Sequence, residues 1–197
     1  MPTAFVLASR SPRRIALLRE AGFAFDVDPA DVDEDAFDAS LTPEQVARHL
    51  ASLKARTVAR RHPGLWTLGS DTVVAVGQTL YGKPLDHADA RRMMRATAGR
   101  EQQVITGVAM CRVGPDAFIE AIETSLVRMR PLTDVEIDVY VAGGDWRGKA
   151  GGYGIQDERL RADPFVTLVS GSLSNVVGLP METTVRLLGE CGIFPSA

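Results

Sequence analysis

Five short segments of this chain carry charged or amide side chains in settings that ask for a ligand. The first is Ser9-Arg10-Ser11-Pro12-Arg13-Arg14. A strand-like stretch leads into it, and Ser before Pro is a helix-start signal. The first N–H groups of a helix lack partners, and the helix dipole favours an anion beside them. Hydroxyls at Ser9 and Ser11 with guanidinium groups at Arg13 and Arg14 would complete a phosphate cradle. The alternative is that Ser11 only caps the helix and the arginines are solvated. Basic residues at a helix start are, however, unfavourable without a nearby anion.

The second is Lys54. Ala47, Leu50, Ala51, Lys54 and Val58 share one face at helical spacing, and the rest of that face is apolar. An ammonium there needs an acidic or phosphate partner, unless it snorkels to solvent. The third is Asp71, inside the apolar run Leu68-Gly-Ser-Asp-Thr-Val-Val-Ala-Val76. Desolvation penalises such a carboxylate unless a cation, a metal or donors meet it; a strand-terminating turn is the other reading. Thr72 should face the opposite side of a regular strand, so a bulge or strand end is expected if both serve one ligand.

The fourth, Gly82-Lys83-Pro84, holds a lysine between two residues that restrict the backbone, and is too short to be specific. The fifth is Gly148-Lys-Ala-Gly-Gly-Tyr-Gly-Ile-Gln156, where glycines permit close backbone approach. Gln156 offers a paired donor and acceptor that could read a pyrimidine edge or equally satisfy the loop. Glu34, in the acidic loop 28–35, is a further oxygen ligand or a solvated charge. No Gly-x-x-x-x-Gly-Lys-Ser/Thr or Gly-x-Ser-x-Gly pattern occurs, which argues against a P-loop and a nucleophile elbow.

The elements that must position these residues read as alternating strands and helices. Strands are expected at 3–8, 23–27, 66–76, 103–113, 118–129 and 165–170. Helices are expected from Ser11-Pro12 to about Ala21, from Thr42-Pro43 to about Arg61, over 86–96, from Thr133 to about Ala142, and from Pro180 onward. Gly114-Pro115-Asp116 marks a hairpin, and six glycines between 143 and 156 demand a loop with unusual backbone angles. The pattern predicts an α/β fold: a mixed twisted sheet with flanking helices.

With 197 residues, 45% hydrophobic and 24% charged, the chain fits one ordinary globular domain and not a disordered one. A net charge of -3 excludes a globally basic nucleic-acid binder. No apolar run is long enough to span a bilayer, and no signal-peptide pattern opens the chain, so the cytoplasm is the expected location. Cys111 and Cys191 have no metal-type spacing and read as reduced and structural. His49, His62 and His87 share no catalytic or metal spacing, and Trp66 and Trp146 read as packing residues.

Taken together, the segments resemble the Maf family of nucleoside triphosphate pyrophosphatases. The stretches that carry the resemblance are Leu7-Ala-Ser-Arg-Ser-Pro-Arg-Arg14, Val32-Asp-Glu34, Lys54-Ala55, Gly69-Ser-Asp-Thr-Val-Val74 and Gly82-Lys-Pro84. They continue with Val104-Ile-Thr-Gly-Val108, Lys149-Ala-Gly-Gly-Tyr-Gly-Ile-Gln156 and Val176-Val-Gly-Leu-Pro180, in family order over nearly the whole chain. The resemblance implies a single domain over residues 1–197, with two lobes around a central cleft, related to the inosine triphosphatases. It implies cleavage between the α- and β-phosphates of a nucleotide. Asp71 matches the family's catalytic acid/base position, and Ser9, Arg13, Arg14, Glu34, Lys54 and Lys83 match its other polar site residues.

One subgroup of the family, acting on dTTP and UTP, is similar at Arg13, Thr72 and Gln156. Another, acting on 7-methyl-GTP, has an aromatic residue, glutamine and glutamate at those places. A neutral amide suits the uracil or thymine edge, with its N–H and C=O groups. The chain departs from the family at Asp157-Glu158-Arg159, where glycine usually follows the glutamine, and at Thr97-Ala98-Gly99, where Leu-Ser-Gly is common. The first departure is expected to alter the rim near the base.

On this reading Glu34 and Asp71 would hold Mg²⁺ or Mn²⁺, and Asp71 would activate water. Arg13, Arg14, Lys54 and Lys83 would neutralise the phosphates. A homodimer is expected from the resemblance alone. Two rivals keep the same cradle: a non-catalytic nucleotide-sensing regulator of septum formation, and a phosphatase that removes the terminal phosphate.

Overall fold

The computed structural model describes residues 4–114, 117–157 and 164–196. In chain order the elements are β1 (Phe5–Leu7), α1 (Pro12–Glu20), β2 (Phe25–Val27), α2 (Pro43–Ala59), β3 (Thr67–Val76), β4 (Thr79–Tyr81) and α3 (His87–Thr97). They continue as β5 (Glu101–Arg112), β6 (Ala117–Met129), α4 (Asp134–Gly143), β7 (Val166–Ser170), α5 (Leu173–Val177) and α6 (Met181–Glu190). The expected elements are present within a few residues. Two more, β4 and α5, are three and five residues long, too short for any periodicity to announce them. Pro115 and Asp116 of the expected hairpin turn lie outside the described residues, as do Glu158 and Arg159.

All seven strands form one mixed sheet in the order β2-β1-β3-β5-β6-β7, with β4 also on β3. β1 runs parallel to β2 and β3, and the remaining pairings are antiparallel. β5 lies along one edge of β3 from Thr67 to Ala75. The other edge is shared: β1 pairs only with Thr67 and Leu68, and β4 only with Val74 to Val76. Residues 69–73 therefore have no strand neighbour on that side. The sheet is notched there, and Asp71 and Thr72, on opposite faces of β3, both line one cleft at the notch. The bulge expected from sequence is not needed.

Two apolar cores sit at opposite ends of the long strands. One gathers Phe5, Leu7, Leu18, Leu68, Met110, Leu187 and Leu188 around α1 and α6. The other gathers Met94, Val127, Met129, Ile137, Tyr140 and Trp146 around α3 and α4. Between them, α2 lies on β3 and β5 through small residues, Ala51, Ala55 and Ala59 against Ala109. The helix starts from a complete capping box: Thr42 Oγ1 accepts from the Gln45 N–H, and Gln45 returns its side chain to the Thr42 N–H. Its approach to the sheet is close enough to need glycine beneath it. A methyl group on Gly69 would lie 2.5 Å from the Ala55 nitrogen and 2.8 Å from its Cβ. This contact sets the height of Lys54 above Asp71.

Among the described residues no helix is long and apolar enough to cross a membrane. Cys111 and Cys191 are not joined in a disulfide. Trp146 is buried with its indole N–H on the Val141 carbonyl, and Trp66 packs under the Arg112 guanidinium, so both tryptophans are packing residues.

Candidate active site

Ser11 occupies the N-cap position of α1 in an extended conformation, but its side chain makes no cap hydrogen bond and the first turn holds no acidic residue. Its N–H turns back to Ser9 Oγ at 3.2 Å. The alternative in which Ser11 simply caps the helix is therefore not what the fold adopts. Nothing anionic satisfies the first turn, and Arg13 and Arg14 stand within it. The electrostatics of a helix start in this condition favour an anion beside it.

The two arginines differ in what they touch. Arg14 is buried and spends its donors on the protein. Nε reaches the Gly178 carbonyl at 2.8 Å, Nη1 the Ser70 carbonyl at 2.8 Å, and Nη2 Thr72 Oγ1 at 3.0 Å. Ser70 is in the notch, so Arg14 supplies hydrogen bonds that a missing strand would have made. Burial lowers its pKa, opposed by the charge of Asp71. Arg13 is half-buried and makes one long bond, 3.4 Å to the Gly148 carbonyl. Burial lowers its pKa too, against the nearby Asp157. Arg13 is the freer cation.

Lys54 does not snorkel. Its ammonium is buried between Asp71 Oδ1 at 2.5 Å and Glu34 Oε1 at 2.6 Å, and Lys83 meets the other oxygen of Glu34 at 2.5 Å. Asp71 sits mid-strand, which removes the turn reading, and its side chain is only 10% exposed. Thr72, on the opposite face, bonds Thr106 Oγ1 at 2.9 Å as well as Arg14. Glu34 is no solvated loop charge. Burial alone would raise its pKa, but hydrogen bonds from Lys54 and Lys83 more than offset this and hold it at about 2.

That depression fixes a pH dependence. A folded pKa near 2 below an ordinary 4.5 contributes stability that is complete above the higher value and lost as pH falls through the lower. Thermal unfolding of wild type and Glu34→Gln should therefore differ most at about pH 5 and converge by about pH 2. A constant gap across that window would remove Glu34 from the acid response.

The loop after α4 closes the cleft. Four of its glycines, 144, 148, 151 and 152, have positive φ, as the glycine run demanded. Gly151 N–H donates to the Gly82 carbonyl at 3.0 Å, tying the loop to the segment that carries Lys83. Gln156 is exposed at the cleft wall. Asp157 is folded inward: it pairs with Lys149 and accepts from Tyr140 Oη and the Gly154 N–H, each at 2.9 Å. The roles of Lys149, Asp157 and Tyr140 were missed in the sequence reading. The one available signal was the Gly154-x-x-Asp157 spacing of a side-chain-closed turn.

Ser9, Arg13, Arg14, Glu34, Lys54, Asp71, Thr72, Lys83 and Gln156 all line one cleft of about 670 Å³, within the usual range for small-ligand sites. Its other wall is apolar, with Val74, Val104, Tyr153, Ile155 and Val176. The donor set suits an ion completed by the ligand. Among the described residues no group of three or more acidic, His or Cys side chains is arranged to hold a metal ion by itself. Asp71 and Glu34, bridged by the Lys54 ammonium, are carboxylates of the type that binds a hard divalent cation together with substrate phosphates and water.

Residues 4–191 match the family described as Maf-like protein. The dTTP/UTP pyrophosphatase of Caulobacter vibrioides is 46% identical over 98% of this chain and 97% of its own. Those of Symbiobacterium thermophilum and Ralstonia nicotianae are each 44% identical, over 95% of this chain and 93% of theirs. Among solved structures, a dITP/XTP pyrophosphatase from Mycobacterium abscessus aligns over 95% of both chains at 14% identity and TM-score 0.43, too loose a likeness to argue from.

Proposed function

The chain belongs to the Maf-like protein family, and from that premise we propose that it hydrolyses dTTP and UTP to the monophosphate and pyrophosphate. The observation that carries the reading is the single cleft in which an uncapped basic helix start, a buried Lys54–Asp71 pair and the amide of Gln156 meet. The helix start and Arg13 would take the triphosphate, with Lys83 at the exposed end. Arg14 and Ser9 would act mainly by holding the notch open, since Arg14 donates to the protein on four sides. Gln156 would read the pyrimidine edge, and Thr72, saturated by Arg14 and Thr106, would shape the floor beneath it.

In the reaction a water oxygen bonds to the α-phosphorus, the bridge to the β-phosphate breaks, and pyrophosphate leaves. Lys54 engages Asp71 through Oδ1. The second oxygen, Oδ2, would orient that water and take its proton. Lys54 and Lys83 neutralise charge on the leaving group. Glu34 and Asp71 would hold a divalent cation, which when bound supplies further neutralisation of the phosphate oxygens. No covalent nucleophile is required. The same resemblance points to a homodimer.

A panel of canonical and modified nucleotides with product identification tests this. Pyrophosphate is expected from dTTP and UTP ahead of purine nucleotides. Orthophosphate as product would favour a terminal phosphatase, and binding without product a regulator of septum formation. A sensor need not keep a water-activating carboxylate.

A further inference from the structure

The turn that carries Gln156 is fixed at both of its other side chains. Ile155 packs against the core around α3 and α4, and Asp157 folds under the loop, its side chain only 11% exposed. The Asp157 N–H closes the turn on the Gly154 carbonyl at 2.9 Å. Its carboxylate gathers three donors: Oδ1 pairs with the Lys149 ammonium, while Oδ2 accepts from Tyr140 Oη and from the Gly154 N–H. Tyr140 is a rigid anchor, since it belongs to α4, is 5% exposed and packs edge-on against Phe165. There is no slack in the clasp. A methyl group on Gly154 would lie 2.6 Å from Asp157 Oδ1 and 3.1 Å from Lys149 Nζ.

Resting on the reading of the cleft given above, we propose that Asp157 is a positioning residue for base recognition. It ties the Gln156 turn to α4 and neutralises Lys149, so that the one exposed side chain of the turn presents its amide to the base. Removing the carboxylate frees the turn from Tyr140 and lets the Gln156 amide move off the base edge. The reacting atoms are untouched. The loss therefore falls on base discrimination and KM, not on the chemical step.

The test is steady-state kinetics of wild type, Asp157→Ala, Asp157→Asn and Tyr140→Phe on dTTP, UTP and GTP, with thermal unfolding recorded for each. Asp157→Ala should raise KM for dTTP and UTP by about tenfold and narrow the UTP-to-GTP ratio of kcat/KM by a similar factor, with kcat within about threefold. Asp157→Asn, which keeps acceptor oxygen for Tyr140 and Gly154, should recover most of the discrimination. Tyr140→Phe should move KM in the same direction by less. A folded Asp157→Ala with wild-type KM and ratio, or with a loss confined to kcat, overturns the proposal. If Asp157→Ala does not fold, wild-type values in Tyr140→Phe overturn it instead. A wild type that cleaves dTTP and UTP while the variants are indifferent sinks this inference alone. A wild type inert toward both sinks the functional reading and this one with it.

Discussion

Replacing Asp71 by Asn is expected to slow cleavage of dTTP and UTP by about a thousandfold, in the middle of the ~10²–10⁴ that a positioned acid–base group contributes. Nucleotide affinity should survive. The substitution keeps shape and an oxygen for Lys54 but removes the proton acceptor. The lysine retains Glu34 as an ionic partner at 2.6 Å, so the buried ammonium is not left alone. The helix start and Arg13, proposed to take the triphosphate, bond Ser9 and the Gly148 carbonyl and not Asp71. Single-turnover kinetics beside binding of a non-hydrolysable UTP analogue separates the two effects. Near-normal turnover would remove Asp71 from the chemistry, and loss of binding alone would make it a ligand residue only.

Gly69→Ala is expected to cost about 3 kcal/mol or more of folding free energy, the scale of overpacking where no flexible neighbour can yield. The obstacles are the backbone of α2 at Ala51 and Ala55, not the tip of a side chain. The helix must lift or the strand must bend. Either movement draws Lys54 on α2 away from Asp71 on β3, two residues beyond the glycine. Urea unfolding should show the lost stability, and the surviving folded protein should also have reduced turnover. Gly107→Ala, which meets the same helix at Ala47 and Ala51, should behave alike. A fully stable Gly69→Ala variant would mean that α2 does not rest on the sheet as closely as described.

These two residues also mark what the sequence could and could not disclose. Lys54 was legible because helical spacing put a cation on an apolar face, and Asp71 because an acid interrupted an apolar strand. Their mutual contact was not, since pairing between residues 17 apart depends on how high α2 rides over β3. The notch was equally hidden. It exists because β1 stops pairing at Leu68 and β4 begins at Val74, and neither limit is written in local periodicity. For that reason Thr72 looked misplaced in sequence and is well placed in the fold. Arg14 and Asp157 were legible as charges but not as braces. Their partners, Ser70, Thr72 and Gly178 for one and Tyr140 and Lys149 for the other, come from distant elements. The resemblance supplied the set of site residues, and the geometry divides them into those that face the cleft and those that hold it in shape.

The central claim is that water attacks the α-phosphorus of a pyrimidine triphosphate in this cleft. Hydrolysis of UTP by the purified protein with Mg²⁺ in heavy-oxygen water, followed by phosphorus NMR, tests it directly. The account predicts UMP carrying the heavy oxygen and unlabelled pyrophosphate. Label in the pyrophosphate, or UDP with labelled orthophosphate, would contradict it.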